Sequence, residues 1–218
     1  MADTRDSGQP SPTKTGKGFS SAAYWKKRYQ QGRNSGAGSY GRLAEYKADF
    51  INRLVIAEDI RSVIEFGSGD GNQAAMFTFP NYTGIDVSPD AVAACREKFA
   101  DRPDWSFDLA DASIQEKRDL AMSLDVIYHL IEDEVFDGYM RRLFDSASRF
   151  VLIYASDHDA GPDIAHVRHR HFSDWIAKNR ADWILIDAPK HPYPLVPGSD
   201  PKQTSFASFK LFKVQGGQ

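Results

Sequence analysis

The chain has a single cysteine, Cys95, so neither an intrachain disulfide nor a multi-cysteine metal site is open to it. It lacks any apolar run near the roughly 20 residues a membrane helix needs. Its opening stretch, MADTRDSGQPSPTKTGKG, has no apolar core and does not read as a secretory signal. Basic excess is missing too. The 27 Lys and Arg stand against 30 Asp and Glu, a formal net charge of −3, which argues against a polyanion such as DNA or RNA as partner. These absences point to a cytoplasmic protein that works without membrane or nucleic acid.

What is present suits one domain. The 218 residues are 41% hydrophobic and 26% charged, enough for one full core. Residues 1–18 are rich in Ser, Thr, Gly, Pro and charge without periodicity, which predicts a disordered tail. Residues 19–60 read as two helices. The first covers AAYWKKRYQQG with Ser21 as cap; the second runs from about Arg42 to Ala57, with Leu43, Tyr46, Phe50 and Leu54 on one stripe. Over residues 61–215 short apolar runs alternate with helical patterns. SVIEF, YTGID, DWSFDLAD, DLAMSLDVIYHL and RFVLIYAS read as strands, and NQAAMF, SPDAVAACREKFA and EDEVFDGYMRRLFDSA as helices. In the second of these helices Ser88 caps and Pro89 takes the first position. Strands joined this way predict an α/β fold, a doubly wound and mostly parallel sheet covered on both faces. A helix over FSDWIAKN and two further strands, DWILIDA and SFASFKLFKV, close the chain and allow antiparallel pairing at the sheet edge.

The stretch SVIEFGSGDGNQ runs from a strand into a glycine turn. Gly67, Gly69 and Gly71 are spaced G-x-G-x-G, and Asn72 stands where the dinucleotide fingerprint needs its third glycine. Such a turn lets backbone approach a ligand, and the amides opening a following helix favour negative charge, either a pyrophosphate or a carboxylate. Asp86 ends the next strand, where a carboxylate can accept hydrogen bonds from both hydroxyls of a ribose.

EFGSGDGNQ, YTGIDVS, FDLADA and SLDVIYHLIEDE, in that order and spacing, resemble the class I S-adenosylmethionine-dependent methyltransferases over roughly residues 61–214. The resemblance implies a seven-stranded sheet, its last strand inserted antiparallel between the fifth and sixth, and S-adenosyl-L-methionine as cofactor. It assigns Glu65, Gly67, Ser68, Gly69 and Gly71 to the cofactor loop, with Asn72 and Gln73 either adding amide contacts or simply opening the helix. It makes Asp86 the ribose acid and sets Val87 against the adenine. Asp108 and Asp111 compete for the adenine amine; Asp111 is preferred because it sits in the exit loop, with Ala110 and Ala112 flanking the ring by backbone. The segments YWKKRY and GSYGRLAEYK resemble a subset associated with bacterial methyltransferases of sugars or surface glycans.

At the fourth strand, alternation sends Asp125, Ile127 and His129 to one side until the strand ends. Methyl transfer from a sulfonium depends on holding the reacting atoms in line, and an alcohol nucleophile also benefits from a base near neutral pKa. His129 suits that base; the bland alternative is a histidine that only bonds a loop carbonyl. Asp125 is expected to orient it or to touch the cofactor's amino group. Tyr40 and Arg42 are candidates for the methionyl end, with Tyr24 and Trp25 as a lid. The cluster HVRHRHF offers three readings. His166, Arg168 and Arg170 bind an anionic group on the substrate; the histidines hold a metal with Asp157 or Asp163; or the segment is a solvated loop. The first is taken, with no metal.

The expected function is methyl transfer to a small polar acceptor, with a sugar or glycan hydroxyl favoured and the oligomeric state left open. The competing classes are a nicotinamide-dependent oxidoreductase or epimerase, and a catalytically silent cofactor-binding module. Asn72 and the lack of a Tyr-x-x-x-Lys pair near the fifth strand count against the former.

Overall fold

A computed structural model of the chain describes residues 19–160 and 165–216. The tail expected over residues 1–18 lies outside them, as does Asp163. Two helices come first, α1 (Ser21–Gln30) and α2 (Gly41–Ala57). The cap of α1 is Ser20, one residue earlier than expected, whose hydroxyl accepts from the Ala23 amide. Ser21 is instead buried, and both its amide and its hydroxyl donate to Glu132. The buried stripe of α2 is Leu43, Ala44, Lys47, Ala48, Ile51 and Val55, rotated from the predicted one, and it carries a lysine into the core.

The sheet has seven strands in the order β3-β2-β1-β4-β5-β7-β6. They are β1 (Val63–Phe66), β2 (Tyr82–Asp86), β3 (Trp105–Leu109), β4 (Arg118–Leu124), β5 (Ala147–Ala155), β6 (Trp183–Asp187) and β7 (Ser208–Val214). The first five pair in parallel, and β7 pairs antiparallel with both β5 and β6, as the family resemblance implies. Strand order reverses between β1 and β4. Helices α3 (Pro89–Lys98), α4 (Asp133–Asp145) and α5 (Phe172–Asn179) complete the layers. Ser88 accepts from the Ala91 amide and Pro89 opens α3.

The helix expected over NQAAMF is a correction: only one 3-10 turn, Ala74–Met76, forms. Phe77 and Phe79 stack 4.5 Å apart and pack towards Tyr82, while Asn52 binds the Met76 carbonyl and the Thr78 amide. Aromatic burial thus takes over where a longer helix would have turned these rings to solvent. A turn this short has almost no macrodipole, so the helix-terminus argument for binding an anion falls away.

Candidate active site

The glycine turn leaves β1 at the point where strand order reverses. The amides of Gly67 and Ser68 both donate to the Ile85 carbonyl, which ties the turn to β2. Gly67, Gly69 and Gly71 have φ of 88°, 58° and 69°, the left-handed region that glycine enters without strain. An added Cβ on Gly67 would also lie 2.5 Å from Val126. Gly71 packs against Phe99 and Cys95 and belongs to the core side of the turn.

Asp86 is buried. Its two oxygens accept from the Gly69 amide at 3.0 Å and the Ser88 amide at 2.9 Å, and burial pushes its carboxyl above the usual carboxylate range against these bonds. Val87 and Ala110 stand beside it, and the Ala110 amide donates to the Asp86 carbonyl. The exit loop of β3 therefore presents Ala110 to the crevice. Asp111 is exposed and outside it, which corrects the adenine-amine assignment; Ala112 lies to one side, its carbonyl held by Arg142. Asp108 stays on β3, paired with Arg96 at 2.7 Å.

Three other assignments are corrected by hydrogen bonding. The Asn72 amide group donates to the Ser39 carbonyl at 2.7 Å, and the Tyr40 hydroxyl donates to Asp70 at 2.7 Å. Arg42 is exposed, stacked over Tyr193 at 4.1 Å and donating to the Gln203 carbonyl. None of the three lines the crevice. Asn72 and Tyr40 instead fasten residues 35–40 onto the glycine turn. Asp70 is the centre of that joint. Burial opposes its charge, yet hydrogen bonds from Ser35, Asn72 and Tyr40 hold its carboxyl below the usual range.

Across β1, the chain leaves β4 abruptly. Asp125 adopts φ 60°, and Ile127–His129 form a 3-10 turn, so the expected alternation stops at Leu124. Asp125 does not hold His129. Its carboxylate accepts from Lys47 at 2.5 Å and from the Tyr128 hydroxyl at 2.8 Å. Lys47 is 1% exposed, so this is a buried ion pair on the crevice wall. Beneath it Glu65 is buried and accepts from the Tyr82 hydroxyl; burial pushes its carboxyl up to about 7 against that bond and the field of Lys47.

His129 lines the same crevice, with Nδ1 2.8 Å from the His166 carbonyl. A carbonyl only accepts, so Nδ1 carries the proton and the neutral ring keeps its lone pair on Nε2. Burial pushes the imidazole down to about 4, only partly offset by that hydrogen bond. Trp25 meets the ring edge-on at 4.8 Å, and His166 stacks on it at 5.5 Å and on Tyr24 at 4.6 Å. The arginines of the basic cluster are a correction. Arg170 is buried and binds Asp133 and the carbonyls of Leu130 and Ile131; Arg168 binds Asp133 at 3.0 Å and the Ile131 carbonyl. Both guanidiniums brace the turn after β4 and are committed within the protein. Among the described residues no group of three His, Cys, Asp or Glu side chains is arranged to hold a metal.

These walls enclose a crevice of about 350 Å³ beyond the carboxyl ends of β1, β2 and β4, roofed by Ala22, Trp25 and Tyr29 of α1. Ser68 Oγ and Gln73 Oε1 line it, buried and without a hydrogen-bond partner among the described residues. Sequence reasoning missed Lys47, Ser35 and Tyr29, all of which line the crevice. Lys47 had a signal: Leu43 and Ile51, four residues to either side, put it on an apolar helix face.

Residues 64–152 match the family model described as a methyltransferase domain. That stretch, about two fifths of the chain, holds the glycine turn, Asp86, Ala110, Asp125 and His129 on a Rossmann-like fold. Among solved structures the chain is similar to the N-methyltransferase NodS from Bradyrhizobium japonicum WM9 in complex with S-adenosyl-L-homocysteine. The TM-score is 0.68 at 13% identity, over 89% of this chain and 99% of that one. It is also similar to the magnesium protoporphyrin IX methyltransferase from Synechocystis PCC 6803 with bound S-adenosylmethionine, at TM-score 0.62 and 15% identity, over 92% and 100% of the two chains. At these identities the likeness establishes the fold. No curated protein matches the chain. Among the described residues no helix is long and apolar enough to cross a membrane.

Proposed function

We propose that the chain uses S-adenosyl-L-methionine to methylate a small polar acceptor, with a hydroxyl as the favoured nucleophile. The observation that carries this reading is the polarity of one crevice. Asp86 and Asp125 leave the two strands flanking β1, roughly 10 Å apart at ordinary strand spacing. On the Asp86 side the walls are a buried carboxylate with Val87 and Ala110, suited to a ribose and a flat base. On the Asp125 side Lys47 and Asp125 offer one charge of each sign, matching the carboxylate and ammonium of an amino acid. Ser68 Oγ and Gln73 Oε1, without partners among the described residues, supply further polar atoms. When bound, the group supplies an electrophilic methyl on a positively charged sulfur.

The protein's part is then positioning and proton handling. Trp25 and His166 pack their rings against His129, and Tyr24 stacks on His166. His129, fixed by its bond to the His166 carbonyl, directs Nε2 as the proton acceptor for the acceptor's hydroxyl. Burial leaves it unprotonated at neutral pH, but also makes it a weaker base than the near-neutral histidine expected from the sequence. A sugar or glycan hydroxyl is one member of this acceptor class, suggested by the N-terminal segments; Arg168 and Arg170, being committed elsewhere, do not favour an anionic one. A cytoplasmic setting is proposed from the sequence features given above.

Calorimetry tests the reading. S-adenosylmethionine and S-adenosylhomocysteine are expected to bind in the micromolar range and NAD not at all. Binding of NAD alone would overturn it in favour of the oxidoreductase class.

A further inference from the structure

We infer that Gly138 keeps the wall of α4 open for the purine ring of the adenosyl group, an inference that rests on the crevice reading just given. Gly138 lies in the interior of the 13-residue α4. There glycine costs a helix about fivefold in its formation constant relative to alanine. Each of the other described glycines has a reason within the protein. Eight have φ between 56° and 98°, and Gly38 and Gly84 would place an added Cβ within 2.7 and 2.8 Å of a neighbouring atom. Gly138 alone among them has neither. Its backbone is ordinary helix, and an added Cβ would meet nothing within 4 Å. Among the described residues no packing or conformational demand calls for glycine at this position.

What lies in front of Gly138 is the crevice. Val135 and Arg142, three residues before it and four after, share its stripe of the helix and also line the crevice. Val135 is 45% exposed, an apolar side chain facing that open space. Arg142 donates to the Ala112 carbonyl, which ties the end of α4 to the loop leaving β3, and Ala110 of that loop binds the Asp86 carbonyl. The Gly138 stripe is thus joined to the side that carries the ribose acid. A purine, broad, flat and uncharged, suits a slot between Val87, Ala110 and an α4 wall that has no side chain at its middle. A side chain at position 138 would narrow that slot.

The test uses Gly138→Ala and Gly138→Leu in the full chain, with two readouts that are expected to move in opposite directions. Thermal unfolding of the ligand-free protein should show both variants melting a few degrees higher, because each replaces glycine by a better helix former in open space. Calorimetry with S-adenosylhomocysteine and with 5′-methylthioadenosine, which lacks the amino-acid part, should show weaker binding. The loss should be about tenfold for Ala and a hundredfold for Leu, by the same factor for both ligands. Unchanged affinity in Gly138→Leu overturns the inference. So does a lower melting temperature in Gly138→Ala, which would make the glycine a requirement of the fold. Weakening confined to S-adenosylhomocysteine also overturns it, because that would set the residue against the methionyl end. If the wild-type protein binds neither ligand, the crevice reading itself falls, and this inference with it.

Discussion

The two sides of the crevice are built by different means. The Asp86 side comes almost entirely from neighbours in one supersecondary unit: β1, its glycine turn, β2 and the Ser88 cap hydrogen-bond to one another. The Asp125 side is gathered from afar. Lys47 comes from α2, Asp125 and His129 from the turn after β4, and the His166 carbonyl from beyond β5. One side uses backbone amides and glycine. The other uses a buried ion pair and stacked rings, which only the packed fold brings together. The near side should therefore tolerate change with a local loss of binding, and the far side should respond with stability and chemistry at once.

The largest expected effect tests the far side. Lys47→Met leaves the Asp125 carboxylate buried without its cation and should lower unfolding free energy by about 3–5 kcal/mol in urea titrations. Combining it with Asp125→Asn should restore much of the loss; a neutral Lys47→Met would show that no buried pair is at work. His129→Gln should slow transfer by about 100-fold, or ~2.7 kcal/mol of barrier, while S-adenosylhomocysteine affinity stays within about twofold. Equal rates would remove the base.

The same variant has a pH signature. His129 has its folded pKa depressed from 6.5 to about 4, so between those values the unfolded chain binds the extra proton and stability falls as pH falls. Wild type should lose about 3 kcal/mol more than His129→Gln across that window, with the difference vanishing above pH 6.5. Taking the difference between the two proteins matters, because Glu65, raised to about 7, pulls the opposite way as pH rises.

On the near side, Asp86→Ala should weaken S-adenosylhomocysteine binding by about 1–3 kcal/mol, the scale of lost charged hydrogen bonds. An unchanged affinity would take Asp86 out of the site. The smallest effect is expected at Arg168→Ala, whose partly exposed pair with Asp133 should contribute no more than about 1 kcal/mol to stability and nothing to transfer. A large rise in acceptor KM would instead revive the anion-binding reading of that arginine.

The near side was largely legible in the sequence because its signals are local: three glycines at fixed spacing, an acid at the end of the next strand, a Ser-Pro helix start. The seven strands and the antiparallel β7 between β5 and β6 followed from the family resemblance. What failed were inferences from a single element carried past its end. Alternation along β4 stops where Asp125 turns left-handed, and the NQAAMF helix gives way to Phe77 and Phe79 seeking the core. The arginines of HVRHRHF looked free because Asp133, their partner, is 35 residues from Arg168 in the chain.

By itself the sequence determined the sheet's alternating build, the glycine turn and the carboxylate at its rim, since these depend on short-range backbone geometry and hydrophobic period. Tertiary structure alone decided that Lys47 faces Asp125, that the Arg168 and Arg170 charges are already answered, and that His129 is neutral beneath Trp25. Those outcomes depend on which charges and rings are buried against one another, and desolvation acts only once distant segments have met.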